Sequence, residues 1–200
     1  MKKAEVFAIL SVLALCAPAV AGWQEQASPA DAQRLAKLDE SRAKGLDEAS
    51  AASPADLAII DSVLHAQAVD ASAGALKGNW RCRTIKLGGM TPDVIYGWFR
   101  CRISIKGGAP TFEKLSGSQR TSGTLYPEGG GFVYLGASYV AGHGGSEKPH
   151  AYSGSGAGAG AQATPDDQIG LLSLLSDGRA RLELPYPVQE STFDVIELKR

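Results

Sequence analysis

The sequence predicts a mainly β protein, α+β overall, in which an N-terminal helical hairpin is followed by a small antiparallel β-barrel or sandwich of about eight strands. Three observations predict it. The tetrapeptide Ser-Pro-Ala-Asp occurs at 28–31 and again at 53–56, each time with the residues that start a helix. From Gly78 onward, apolar residues recur at every second position instead of at helical spacing. Turn signals rich in Gly and Pro then cut the remaining chain into short segments.

The chain opens as a secretory signal. Lys2 and Lys3 precede a short apolar run over 6–15, and Ala19-Val20-Ala21 fits the small-x-small cleavage rule. Residues 1–21 are therefore expected to be a signal peptide cleaved near Ala21, which leaves a periplasmic or secreted protein starting at Gly22. Lipidation at Cys16 is the rival reading, and bulky Leu15 before it argues against that. No later segment approaches the roughly 20 apolar residues that a membrane-spanning helix requires. With 20 Lys plus Arg against 21 Asp plus Glu, the chain lacks the basic excess of a nucleic-acid binder.

Residues 22–75 read as the helical segment. After a loose leader over 22–27, Ser28 and Ser53 each stand at an N-cap, with Pro29 and Pro54 at the first helical position. Asp31 and Asp56 follow where a carboxylate answers the free amides and the dipole. Leu35, Leu38 and Leu46 mark the first helix, which is expected to end near Gly45 or over 49–52. Leu57, Ile60, Val63 and Leu64 form one stripe on the second. His65, at the end of that stripe, receives no role.

Residues 76–200 read as the β domain. Its first two strands carry matching frames, Arg81-Cys82-Arg83 and Arg100-Cys101-Arg102, on either side of a turn-like LGGMTPD. Loss of Cys16 with the signal leaves two cysteines, and export favours a Cys82–Cys101 disulfide. An antiparallel hairpin centred on the turn sets Cys82 opposite Cys101, Arg81 opposite Arg102 and Arg83 opposite Arg100. The four arginines then share the outer face, where like charges need an answer. Carboxylates from adjoining strands, Glu183, Asp194 and Glu197, are one answer; an anionic ligand or a partner is the other. Further strands are expected at 112–115, 119–126, 131–140, 169–175, 179–184 and 192–199. Residues 142–163, rich in Gly, Ser and Ala, are expected to form a flexible loop.

Catalytic signatures are missing: there is no Gly-x-Ser-x-Gly elbow, no His-Glu-x-x-His, no Walker loop and no dinucleotide fingerprint. His143 and His150, with Asp166 and Asp167 downstream, have too loose a spacing to predict a metal site, so no metal or other cofactor is implied. Ser116, Ser118, Thr121 and Ser122 would act as nucleophiles only beside a histidine that the sequence does not place. Trp80, Trp98, Phe99, Tyr126, Phe132, Tyr134, Tyr186 and Phe193 all fall in the strand region, where they fill a core or line a cavity.

Taken together, CRTIKLGG, YGWFRCRI, SGSQRTSGTLYP, VYLGA and the closing LPYPVQESTFDVIELKR resemble a bacterial family of exported proteins known as domain of unknown function 4893, from about Asp31 to the end. The resemblance implies a helical start and a β domain, and carries no activity or assigned site. A fainter one is to calycin-type barrels: Gly78-Asn79-Trp80 looks like the Gly-x-Trp that opens their first strand, and Lys199 and Arg200 resemble the base packed near it. The outline is also similar to small disulfide-stapled barrels that inhibit secreted proteases. The expectation is a non-enzymatic binding module for a small ligand or an envelope protein. The alternatives are an envelope hydrolase whose site assembles only in three dimensions, and a secreted-protease inhibitor.

Overall fold

A computed structural model describes residues 22–142, 151–154 and 164–200. The expected signal peptide over 1–21 and the histidines at 143 and 150 lie outside the described residues, as does most of the Gly-rich stretch over 142–163.

Among the described residues, five short helices and ten strands follow one another: α1 (Trp23–Gln26), α2 (Pro29–Ala36), α3 (Leu38–Glu48), a 3-10 turn (Ala49–Ala51), α4 (Pro54–Leu64), β1 (Ala68–Val69), α5 (Ala73–Leu76), β2 (Gly78–Leu87), β3 (Asp93–Ile95), β4 (Phe99–Lys106), β5 (Ala109–Lys114), β6 (Gln119–Glu128), β7 (Gly131–Val140), β8 (Asp167–Leu175), β9 (Ala180–Pro185) and β10 (Phe193–Lys199). Ser28 and Ser53 cap their helices as expected, accepting from the amides of Asp31 and Asp56 at 3.1 Å. The leader contains a helical turn, α1, and the first helix breaks at Lys37 into α2 and α3.

Eight strands, β2 and β4 to β10, run up and down in chain order, every neighbour antiparallel, and β10 pairs with β2 to close the barrel. Closure removes the free edges that an open sheet would expose. Two short strands add at the outside, β1 on β8 and β3 on the far end of β2. The helices line the barrel wall. Ile60, Val63 and Leu64 of α4 and Ala49 share a core with the outward Ile85, Leu87, Phe193 and Val195, while α1 and α2 cover Val133, Leu135 and Ile169.

The hairpin register differs from the expected one. Trp80 faces Cys101, Arg81 faces Arg100 and Cys82 faces Phe99, two residues away from the symmetric pairing. The connection is asymmetric: β2 continues to Leu87, and β3 folds back onto that extension, Ile85 against Ile95. A slip of two preserves the faces, because side chains alternate with period two. Both cysteines therefore still point inward and are bonded diagonally, with Cα atoms 5.8 Å apart. Closing a 19-residue separation contributes about 3 kcal/mol in the chain-entropy model.

The barrel interior is filled at its centre and at one end. Phe112, Leu125, Phe132, Tyr134, Leu172, Leu182, Ile196 and Leu198 pack together with Trp80 and the disulfide. At that end α5 forms a plug. Trp80 Nε1 donates to the Leu76 carbonyl at 2.8 Å, and the Arg200 guanidinium lies 4.4 Å from the Trp80 ring centre while reaching the Ala75 carbonyl. The likeness to calycin barrels implies such a contact for Lys199 and Arg200; Arg200 makes it, whereas Lys199 lies over Trp98.

Candidate functional site

Among the described residues the opposite end of the barrel is open, and the sequence builds it strand by strand. Toward this end the inward positions change from apolar to polar: Trp80 and Cys82 give way to Thr84 and Lys86 on β2, and Phe112 to Lys114 on β5. Leu172 gives way to Gln168 on β8, and Leu198 and Ile196 to Asp194 on β10. Ser138 on β7 and Thr121 on β6, which face each other in register, complete the ring. The result is a mouth enclosing a cavity of about 150 Å³, with Leu184 and Ile196 on its wall and the 186–192 loop at its rim.

A hydrogen-bonded relay forms the floor. The buried Tyr134 hydroxyl lies against Thr121 Oγ1, which also contacts Gln168 Oε1; Tyr134 donates to Thr121 and Thr121 donates onward. Burial pushes the Tyr134 phenol well above its ordinary range and keeps it a donor.

Charge is divided across the mouth. On one side Lys86 faces Asp194 in register and is ion-paired with Glu190, while Ser191 Oγ donates to Asp194 Oδ1 at 2.6 Å. Burial works against the Lys86 ammonium, but Glu190 and Asp194 outweigh it and raise its pKa. Asp194 is 5 % exposed, and burial pushes its carboxyl up to about 6 against the pull of Ser191 and Lys86. On the other side stands Lys114, 7 % exposed, which donates to the Gln119 carbonyl at 2.8 Å and lies 4.4 Å from the Phe99 ring centre. Among the described residues no carboxylate pairs with it. Burial, then the charges of Lys86 and Arg120, lower its pKa to about 8.

The Asp194 shift predicts a pH-dependent stability. A carboxyl whose folded pKa lies above its unfolded value near 4 stabilises the fold most at low pH, and that contribution falls as pH rises through about 4 to 6. Asp194→Asn, which keeps an acceptor for Ser191, is expected to stabilise the protein by about 2–3 kcal/mol near pH 8 and to change little near pH 4. Urea titrations at the two pH values check this; equal shifts at both would remove burial of the charge as the cause.

The four arginines of the matched frames lie on the outer wall and are answered unequally. Arg83 Nε donates to Glu197 at 2.6 Å, and Arg102 pairs with Glu113 at 3.2 Å. Arg81 and Arg100, opposed in register and exposed, have no carboxylate partner among the described residues. Arg81, Arg83 and Lys199 stand 6.0, 4.7 and 4.0 Å from the Trp98 ring centre. Glu183 answers Arg42 and Arg181 instead of the frames, and Asp194 points into the mouth.

His65 is exposed and pairs with Asp61 at 2.7 Å. Tyr152, within the stretch expected to be a flexible loop, is buried. Its hydroxyl accepts from the Ser28 amide at 2.8 Å and donates to Asp31, so this part of the stretch is held on α2. Asp167 accepts from Ser153 and Thr164, and Ser138 donates to Asp166 at 3.3 Å. Among the described residues no group of three or more His, Cys, Asp or Glu is placed to hold a metal ion. Also among them, no helix is long and apolar enough to cross a membrane. That fact and the disulfide are compatible with an exported protein.

A family model described as domain of unknown function (DUF4893) matches residues 23–198. No curated protein and no solved structure matches the chain.

Proposed function

From the premise that the chain belongs to the domain of unknown function 4893 family, whose description carries no activity, we propose that it is an exported binding module that takes a small ligand in the open mouth of its barrel. The observation that carries this reading is the shape of the interior among the described residues, plugged by α5 at one end, packed through the centre and hollow at the other. A space of about 150 Å³ equals an engineered cavity that takes up benzene, and it is smaller than the roughly 300–1,000 Å³ pockets of drug-sized ligands. The occupant is therefore a small molecule or the end of a larger one. The signal-like start and the disulfide support export; no arrangement among the described residues favours the hydrolase reading over binding.

The test is a thermal-shift screen of small polar molecules against the mature, oxidised protein and against Thr84→Phe, which fills the mouth. Compounds that stabilise the first and not the second support the reading. Equal shifts in both, or none in either, sink it.

A further inference from the structure

We propose that the mouth selects an acid: a carboxylate of about benzoate size, or an acidic group of that size on a larger molecule, is bound with its anionic head against Lys114 and Arg120. This rests on the mouth being the ligand site. Lys114 is the most unusual group there, a lysine only 7 % exposed whose ammonium carries three donors yet meets one carbonyl and one aromatic face. A charge so buried is costly unless something of opposite sign answers it. The charges that reach it are those of Lys86 and Arg120, both positive. Arg120 Nε is spent on the Gly117 carbonyl at 3.0 Å and its guanidinium also hydrogen-bonds Tyr139, but no carboxylate pairs with Arg120 among the described residues.

The acids of the mouth are committed elsewhere. Glu190 is on Lys86, Asp194 is held by Ser191, Asp167 accepts from Ser153 and Thr164, and Asp166 accepts from Ser138. Among the described residues, an incoming anion thus meets a side of the cavity whose positive charges have no carboxylate partner. Leu184 and Ile196 offer an apolar wall for the rest of a small acid. In such a partly dry site the attraction is screened by salt far less than on the outer wall.

The affinity also acquires a pH dependence. The titratable groups that line the mouth with Lys114 are Lys86, Arg120, Tyr139, Asp194, Glu190, Asp166 and Asp167. As Asp194 gains its charge on passing about pH 6, binding weakens slightly; as Lys114 loses its proton on passing about pH 8, binding weakens strongly.

Calorimetric titration with benzoate, benzamide and benzylammonium separates the possibilities, with inorganic phosphate added to tell a carboxylate from a phosphate preference. Benzoate is expected to bind at least about tenfold tighter than benzamide, and to weaken about tenfold between pH 7 and pH 9. Lys114→Met is expected to erase the preference, because it keeps the volume and removes the charge. The outer-wall variant Arg81→Gln/Arg100→Gln is expected to leave it intact. Benzamide binding as tightly as benzoate, a preference for benzylammonium or phosphate, or loss of the preference in the outer-wall variant and not in Lys114→Met would overturn the inference while leaving the mouth as a ligand site. Absence of binding by every probe overturns the inference, and absence in the wider screen as well overturns the mouth itself.

Discussion

Gly136→Ala is expected to destabilise the barrel by at least about 3 kcal/mol, at or beyond the upper end of what overpacking a core costs. A Cβ at this position would stand 2.1 Å from the Tyr134 hydroxyl oxygen and 2.4 Å from the Ser122 carbonyl oxygen. Gly123, its register partner on β6, is equally closed in, with a Cβ there 2.3 Å from the Leu135 carbonyl oxygen and 2.4 Å from the Tyr134 ring. The two glycines together form the bed on which the fully buried Tyr134 ring lies, and that ring supports the floor of the mouth. Because backbone atoms are among those met, no change of rotamer relieves the contact. The β6–β7 pairing has to move, and Thr121 and Gln168 with it. Gly129→Ala is the control: its φ of +52° costs an alanine about 1 kcal/mol, but nothing lies within 4 Å of the new methyl. Urea midpoints read both. A Gly136→Ala loss no larger than that of Gly129→Ala would mean that Tyr134 can leave its bed without consequence.

Much of the architecture is legible in the sequence, because its signals repeat. Two Ser-Pro-Ala-Asp caps start α2 and α4, and alternation over 80–105 gives the inward and outward faces of β2 and β4 regardless of register. The strand at 131–140 has its expected limits, and most of the others lie within two or three residues of theirs. What is missed is short or relational. β1, β3 and α5 hold two to four residues each, too few for a period to show. The register depends on β3 folding back onto β2, and nothing between Gly88 and Pro92 announces that asymmetry.

The mouth was hidden for a different reason. Each contributing strand supplies only one to three of its residues, and Lys114, Thr121 or Asp194 taken alone reads as an ordinary strand end. The available signal is collective: in an up-and-down barrel, inward positions that turn polar at the start of one strand and at the end of the next all fall at the same rim. The frames around Cys82 and Cys101 attract attention because their charges are adjacent in sequence, yet those charges are on the outer wall. Outward charge is also what fastens the helices, since Glu183 and Glu197 are almost wholly buried beneath or beside them.

Glu183→Ala is expected to cost about 3–5 kcal/mol, a large share of the roughly 5–15 kcal/mol that holds a domain folded. Glu183 is 1 % exposed on β9, and its two carboxylate oxygens accept from two arginines: Arg42 Nε of α3 at 2.7 Å and, from the same strand, Arg181 Nε at 3.0 Å. Arg181 in turn donates through Nη1 to the Val63, Leu64 and Ala66 carbonyls at 3.0, 2.7 and 3.0 Å, where α4 ends with carbonyls lacking helical partners. One carboxylate therefore fixes α3 directly and α4 through an arginine. Removing it leaves two guanidinium groups side by side, Arg42 with only the exposed Asp39 and Arg181 with no carboxylate among the described residues. Glu183→Gln keeps one acceptor and loses the charge, so its midpoint in urea should fall between those of wild type and alanine. A double-mutant cycle with Arg42→Ala should give a coupling well above that of the Arg42–Asp39 pair, whose carboxylate is 92 % exposed and which belongs to the class worth about 0–1 kcal/mol. Equal couplings would mean that the helical layer is held by its apolar contacts with Leu87 and Phe193 alone, and that the buried charges only avoid a penalty they themselves create.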